Sequence, residues 1–197
     1  MTTVRFESPT WDEVHTLLRC QASKIRADGF EVEVILGVSR GGLVAARIHS
    51  DLLENANIVT VRTECYANFG KVKSEPTLNE PLSASVDGKS VLVVDDVADT
   101  GRSLKLVKEH VVQRGARVVK IATLFQKPWS ALKPDYFEKE TENWVVFPWD
   151  LKETVRGVFE NRGNATLSQL VLSLVNSGLP KSLVSAFLKE MAEEKPC

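Results

Sequence analysis

The sequence predicts an α/β fold, a mainly parallel twisted sheet flanked by helices, and three observations carry that reading. Two segments repeat one grammar of apolar strand, turn and helix: EVEVILGV at 31–38 followed by SRGG, and SVLVVDD at 90–96 followed by VADTGRS. The runs SVLVV and VVKIATL are almost continuously apolar, which suits strands buried on both faces rather than one. A strand also follows the second helix directly, and strand, helix, strand in succession calls for parallel pairing through right-handed crossovers.

Taken in order, Thr10 and Glu13 form a capping-box pair. They open a helix that repeats Trp11, Val14, Leu17, Leu18 and Ile25 at helical spacing up to Gly29. The strand at 31–38 passes through SRGG into a helix marked by Val44, Ile48, Leu52 and Leu53. A second strand, NIVTVRT at 57–63, runs into a polar stretch with Tyr66, Asn68, Gly70, Lys71, Lys73, Pro76 and Pro81 that ends near Gly88. More than about twenty residues without periodicity inside a compact domain usually serve a function, so a mobile lid loop is expected there. The strand at 90–96 leads to a helix presenting Leu104, Val107, Val111 and Val112 before Gly115, then to the strand RVVKIATLF at 117–125. The segment NWVVFPWD at 143–150 reads as a short edge strand closed by Pro148.

From about 156 the texture changes. Thr166 and Gln169 form another capping box, followed by Leu167, Leu170, Val171, Leu174 and Val175 on one helical face. Gly178 and Pro180 punctuate, and Leu183, Val184, Phe187, Leu188 and Met191 make a second amphipathic helix. The expected organisation is a domain over 1–155 and a C-terminal helical hairpin over 156–197 that caps the core or packs in an oligomer.

Composition narrows the function. The 197 residues carry 25 Lys+Arg against 26 Asp+Glu, a formal charge of −1, with 43% hydrophobic residues. That length suits one domain with an appendage and needs no metal or disulfide to stabilise its core. A near-neutral chain is poorly suited to gripping nucleic acid, which takes an excess of Lys and Arg. Residues 163–188 contain only Lys181 as a basic residue, against a DNA-reading helix pair. No apolar run approaches the 18 or more residues of a spanning helix, and MTTVRFESPT resembles no export signal. Cys20, Cys65 and Cys197 have no paired spacing, and His15, His49 and His110 are scattered, so neither a disulfide framework nor a histidine metal site is expected. A cytoplasmic protein without membrane or nucleic-acid partners is the expectation.

The chemistry concentrates in VLVVDDVADTGRS, 91–103. An apolar strand delivers Asp95 and Asp96 to its carboxyl end, where open parallel sheets bind ligands. The loop DTGRS then enters a helix, so backbone N–H groups, two hydroxyls and the positive helix end converge as a site for a phosphate monoester. Acids beside a phosphate pocket make sense if they accept from sugar hydroxyls or hold a divalent cation. The plainer alternative is a capped helix start with Asp99 as the cap. The second turn, GVSRGG, lets backbone amides approach a pyrophosphate while Arg40 adds charge; alone, it is explained as well by a tight turn.

Together these segments resemble type I phosphoribosyltransferases, over about residues 4 to 152. VLVVDDVADTGRS is similar to their motif for phosphoribosyl pyrophosphate (PRPP). The resemblance implies that Asp95 and Asp96 meet the ribose hydroxyls and magnesium-bound PRPP, and that Asp99, Thr100, Gly101, Arg102 and Ser103 cradle the 5′-phosphate. It also places Asp99 opposite N7 of a purine as the proton-handling group. Ser39, Arg40, Gly41 and Gly42 would form the pyrophosphate loop, with a non-proline cis peptide at Arg40–Gly41. The family's lid often begins with Ser-Tyr; this chain has Cys65 and Tyr66, which removes a hydroxyl donor.

LFQKPWSALKPDYFEKETENWVVFPWD, 124–150, resembles the bacterial xanthine-guanine branch. That likeness gives Lys127 the donation to the 6-oxo group, Trp144 the stacking on the ring, and the backbone around Val145 and Asp150 the reading of the 2-position. An ammonium facing the 6-position favours an oxo group, because the amine of adenine would set donor against donor. A solvated strand-end lysine and a core or edge tryptophan are the structural alternatives. The implied reaction moves the phosphoribosyl group from PRPP to hypoxanthine, guanine or xanthine, releasing pyrophosphate and a purine nucleotide, with Mg2+ as cofactor. A homo-oligomer, dimer or tetramer, is expected. The rival reading is a PRPP-sensing regulatory protein on the same fold.

Overall fold

The computed structural model describes residues 5–68 and 71–194, with backbone alone over 65–68 and 71–74. Along the chain run β1 (Phe6–Glu7), α1 (Trp11–Ala27), β2 (Val34–Ser39), α2 (Gly42–Leu52), β3 (Ile58–Asn68), β4 (Lys71–Glu80) and β5 (Ser90–Ala98). They are followed by α3 (Arg102–Gln113), β6 (Val118–Gln126), β7 (Tyr136–Glu140), β8 (Trp144–Val145), α4 (Leu151–Glu160), α5 (Leu167–Asn176) and α6 (Lys181–Glu193). These divide into two units, Asp12–Glu142 and a second that joins Met1–Trp11 to Asn143–Cys197.

The first unit holds a six-stranded sheet in the order β4-β3-β2-β5-β6-β7. All neighbours are parallel except β3 and β4. Val34, Ile35 and Leu36 lie opposite Val91, Leu92 and Val93, so the side-chain alternation of the two central strands is in step. On one face Val34, Leu36, Val38, Val91, Val93 and Ile121 form a core with Leu104, Val107 and Val111 of α3. The alternate residues Ile35, Leu92 and Val94 are equally buried, and α2 packs on β2 and β5. Burial on both faces is what the continuous apolar runs require.

A buried polar link ties α1 and α2 to the sheet. Gln21 of α1 donates to the Thr123 carbonyl at 2.8 Å, and its amide oxygen meets His49 Nε2 of α2 at 2.8 Å. Burial pushes the His49 pKa down to about 4, because charging the ring there would strand an ion out of water. The edge strand β7 is anchored by Tyr136, whose hydroxyl donates to Asp28 at 2.6 Å beside the Asp28–Lys120 ion pair.

In the second unit β1 and β8 pair in parallel, Phe6 with Trp144 and Glu7 with Val145. Val146, Leu151, Val155, Leu170, Leu174, Leu179, Val184, Leu188 and Met191 form its core, with Phe6 and Phe187 packed against it. The Thr166–Gln169 capping box is present in both directions. No helix among the described residues is long and apolar enough to cross a membrane.

The structure corrects several sequence expectations. The strand expected at 57–63 continues to Asn68 and turns back as β4, so the stretch read as an aperiodic loop is an antiparallel hairpin. It hides in the sequence because β4 is an edge strand, where Pro76 and many charges are tolerated. The edge strand of the main sheet is β7, not 143–150; its YFEKE composition masks it, and only two residues of 143–150 are extended, pairing with β1. Helix α4 is also additional to the expected helical pair. Its turn-by-turn pattern of Leu151, Thr154 and Val155 is buried, but Pro148 just upstream reads as a stop.

Candidate active site

Both turns singled out in the sequence lie at carboxyl ends of adjacent parallel strands, β2 and β5, and they touch. A Cβ added to Gly41 would fall 1.9 Å from Asp96 Oδ2, and one added to Gly42 would fall 2.3 Å from the Val94 carbonyl oxygen. Only glycine lets the SRGG turn close onto the acidic end of β5. Asp96 is consequently just 8% exposed, and its neighbour Asp95, paired in register with Thr123, accepts from the Asp96 N–H at 3.0 Å. The non-proline cis peptide lies one bond earlier than expected, at Ser39–Arg40 rather than Arg40–Gly41.

Both helices that leave these turns start at glycine. Gly41 is the N-cap of α2 and Gly101 that of α3, so neither helix has an N-cap side chain for its first-turn N–H groups. Those donors and the positive helix ends remain backbone features of the turn. Gly101 has φ of 74°, the left-handed region that disfavours other residues, and a Cβ there would come within 2.6 Å of Leu132 N. The N-cap of α3 is thus Gly101 rather than Asp99, whose carboxylate accepts from Trp129. Thr100 Oγ1 accepts from Arg102 N at 3.5 Å, and Ser103 sits in the first turn of α3.

A third segment closes against this loop. Lys127 N donates to the Ala98 carbonyl at 2.9 Å and Ala131 N to the Thr100 carbonyl at 3.1 Å, while Ser130 N closes a turn onto Lys127 O at 3.0 Å. These bonds bring Lys127 and Asp99 to the same end of the sheet. Lys127 is only 6% exposed, so it is no solvated strand-end lysine. The sequence reading passed over Trp129 in this turn. Its indole N–H donates to Asp99 Oδ1 at 3.0 Å, and the Lys127 ammonium lies 5.5 Å from its ring centroid. The available signal was a tryptophan in a Pro-bearing turn two residues after the lysine, outside any strand or helix.

The remaining expected residues lie elsewhere. The backbone of Cys65 and Tyr66 is in β3, and their side chains lie outside the described residues. In the second unit Trp144 is 37% exposed on β8, a surface rather than a core tryptophan. Val145 is half-buried beside it, and Asp150 is the N-cap of α4, its carbonyl accepting from Thr154 N at 2.9 Å.

The chain is similar in sequence and fold to known proteins. Residues 10–155 match the family described as phosphoribosyl transferase domain. A xanthine-guanine phosphoribosyltransferase of Gluconobacter oxydans is 30% identical over 150 residues, covering 75% of this chain and 86% of that one. The crystal structure of a purine phosphoribosyltransferase from Pyrococcus horikoshii superposes with a TM-score of 0.66 at 36% identity, covering 74% of this chain and 93% of the other. A hypothetical protein from Neisseria gonorrhoeae, solved with bound ppGpp, gives a TM-score of 0.65 at 26% identity over 82% of this chain and all of that one.

Proposed function

This chain belongs to the phosphoribosyl transferase domain family, and from that premise we propose that it transfers the 5-phosphoribosyl group of PRPP to a 6-oxopurine, releasing pyrophosphate and a purine nucleotide. The observation that carries the reading is the closure of the SRGG turn onto Asp96 through Gly41 and Gly42, which sets two backbone-lined turns against one pair of carboxylates. An activated pentose with phosphate at one end and pyrophosphate at the other matches that layout. Ser39, Arg40, Gly41 and Gly42 take the pyrophosphate, and Asp99, Thr100, Gly101, Arg102 and Ser103 the 5′-phosphate, by backbone N–H donation and helix-end charge.

The donor set fits magnesium. Asp95 and Asp96 supply two carboxylates, and among the described residues no third metal-ligating side chain gathers with them. Mg2+ is commonly held by one or two carboxylates, substrate phosphates and water. When bound, it supplies positive charge beside the pyrophosphate. Asp95 and Asp96 otherwise orient the ribose hydroxyls.

As pyrophosphate departs, the anomeric carbon gains oxocarbenium character and a purine nitrogen attacks it. The α2 end stabilises the leaving charge, and Asp99 handles the proton at N7. Lys127 donates to the 6-oxo group, which rejects adenine; Trp144 stacks on the ring, and the backbone at Val145 and Asp150 reads the 2-position. Cys65 and Tyr66 belong to the hairpin we assign as the covering lid. The catalytic domain is placed at 1–155, supported by the family match over 10–155, with 156–197 as a capping or oligomer-forming extension. We place the protein, as a homo-oligomer, in the cytoplasm.

Mixing the protein with PRPP, magnesium and each of hypoxanthine, guanine, xanthine and adenine tests the reading. Pyrophosphate release with a 6-oxopurine and little with adenine is the expected result. Binding of PRPP without turnover on any purine would favour the PRPP-sensing regulator instead.

A further inference from the structure

We propose that Trp129 is a positioning residue for both base-side groups of the first unit, fixing the Asp99 carboxylate through its indole N–H and the Lys127 ammonium through its ring. The inference rests on the phosphoribosyl-transfer reading and deepens it. A carboxylate accepts hydrogen bonds at both oxygens, so a donor at Oδ1, here at 3.0 Å, sets the carboxylate plane without exhausting its capacity to meet a purine. The Lys127 ammonium, 5.5 Å from the ring centroid, is within the range in which a cation is attracted to an indole face. One side chain thus ties the proton-handling group to the oxo-recognising group, and both point-to-point distances are set by a single rigid ring.

The turn itself supports the assignment. Lys127, Ser130 and Ala131 are pinned by backbone hydrogen bonds to Ala98, to the turn itself and to Thr100, so Trp129 rides on the same frame as the phosphate loop. Yet its side chain is 54% exposed, an unusual place for a tryptophan whose only task is packing. A substitution there leaves the core untouched, which makes it a clean probe.

Three variants separate the two functions of the ring. Trp129→Phe keeps an aromatic face for Lys127 and removes the N–H; Trp129→His keeps an N–H at the equivalent ring position; Trp129→Ala removes both. With PRPP, magnesium and guanine, Trp129→Phe is expected to lower kcat about tenfold with the purine KM within about twofold of wild type. Trp129→His restores most of that loss, and Trp129→Ala adds a several-fold rise in the purine KM. In an Asp99→Asn background the Phe substitution has no further effect on kcat, because the residue acts through that carboxylate. Calorimetric affinity for magnesium-PRPP alone is unchanged in all three.

A wild-type kcat in Trp129→Phe, an equally low one in Trp129→His, or equal fractional losses with and without Asp99 would overturn the proposal while leaving the enzyme reading intact. Absence of turnover in the wild-type protein with every 6-oxopurine would instead remove the enzyme reading, and this inference with it.

Discussion

Helices α3 and α5 begin in opposite ways. At α5, Thr166 Oγ1 accepts from Gln169 N and Gln169 Oε1 accepts from Thr166 N at 2.8 Å, a closed reciprocal pair. At α3, as at α2, the cap is a glycine with no side chain to offer. The α5 start optimises the helix; the α2 and α3 starts give up only a few tenths of a kcal/mol each by using glycine, and leave the turn lined by backbone. A missing side-chain cap does not by itself mark a ligand site, since α4 and α6 also begin without one; what sets α2 and α3 apart is a glycine cap on a turn at the carboxyl end of a central strand.

That contrast is broken most severely at Gly41. Gly41→Ala places a methyl where the Asp96 carboxylate now lies, so the carboxylate must move. A fall in kcat/KM on the order of a hundred- to a thousandfold is expected, as for loss of a main charge-stabilising contact. Steady-state kinetics with PRPP and guanine read it, and undiminished kcat/KM would show that the turn does not depend on this closure.

The far end of α2 responds to pH. His49 is neutral when folded, with a pKa of about 4 against 6.5 for the free ring. Between those values the unfolded chain binds the additional proton, so the full stability is present above about pH 6.5 and is lost as pH falls towards 4. The loss amounts to about 3 kcal/mol at most. Urea denaturation of wild type and His49→Gln between pH 7 and 4.5 should show a steeper decline in the wild type; parallel curves would contradict it.

Gly101→Ala sharpens the contrast from the α3 side. A positive φ and a Cβ 2.6 Å from Leu132 N together cost about 2 kcal/mol, of which 1–2 is the left-handed backbone. Calorimetry should show magnesium-PRPP affinity reduced by about tenfold or more, and an unaltered affinity would argue against the cradle. Thr166→Ala is the smallest change. It should remove about 1 kcal/mol of stability, lowering Tm by about 2–4 °C, with kcat/KM unchanged; a loss of activity would tie α5 to the chemistry.

The candidate site was more legible in the sequence than the periphery of the fold. Asp95, Asp96 and the DTGRS turn announced themselves because an apolar strand ending in acids has few structural explanations. The adjacency of the SRGG turn was legible only through parallel topology, and the atomic reason for Gly41 and Gly42 needed coordinates. Edge strand β4 was illegible because Pro76 and alternating charges suppress the strand pattern where one side has no partner. Strand β7 was hidden in YFEKE for the same reason, and its position is fixed by Tyr136 and Asp28, 108 residues apart. Trp129 was passed over because a tryptophan in a turn carries no periodicity to read.

The pairing of β1 with β8 imposes an order of events on synthesis. Phe6 N donates to Ser177 O at 2.8 Å, and Gly178 sits so close to the Phe6 carbonyl that a Cβ would come within 2.7 Å of it. A nascent chain therefore carries Phe6 unmatched while all of Asp12–Glu142 emerges, and the second unit cannot complete its packing until the chain has been made past residue 178. Amide protons at 6–8 and 144–146 should accordingly exchange together, as one cooperative group.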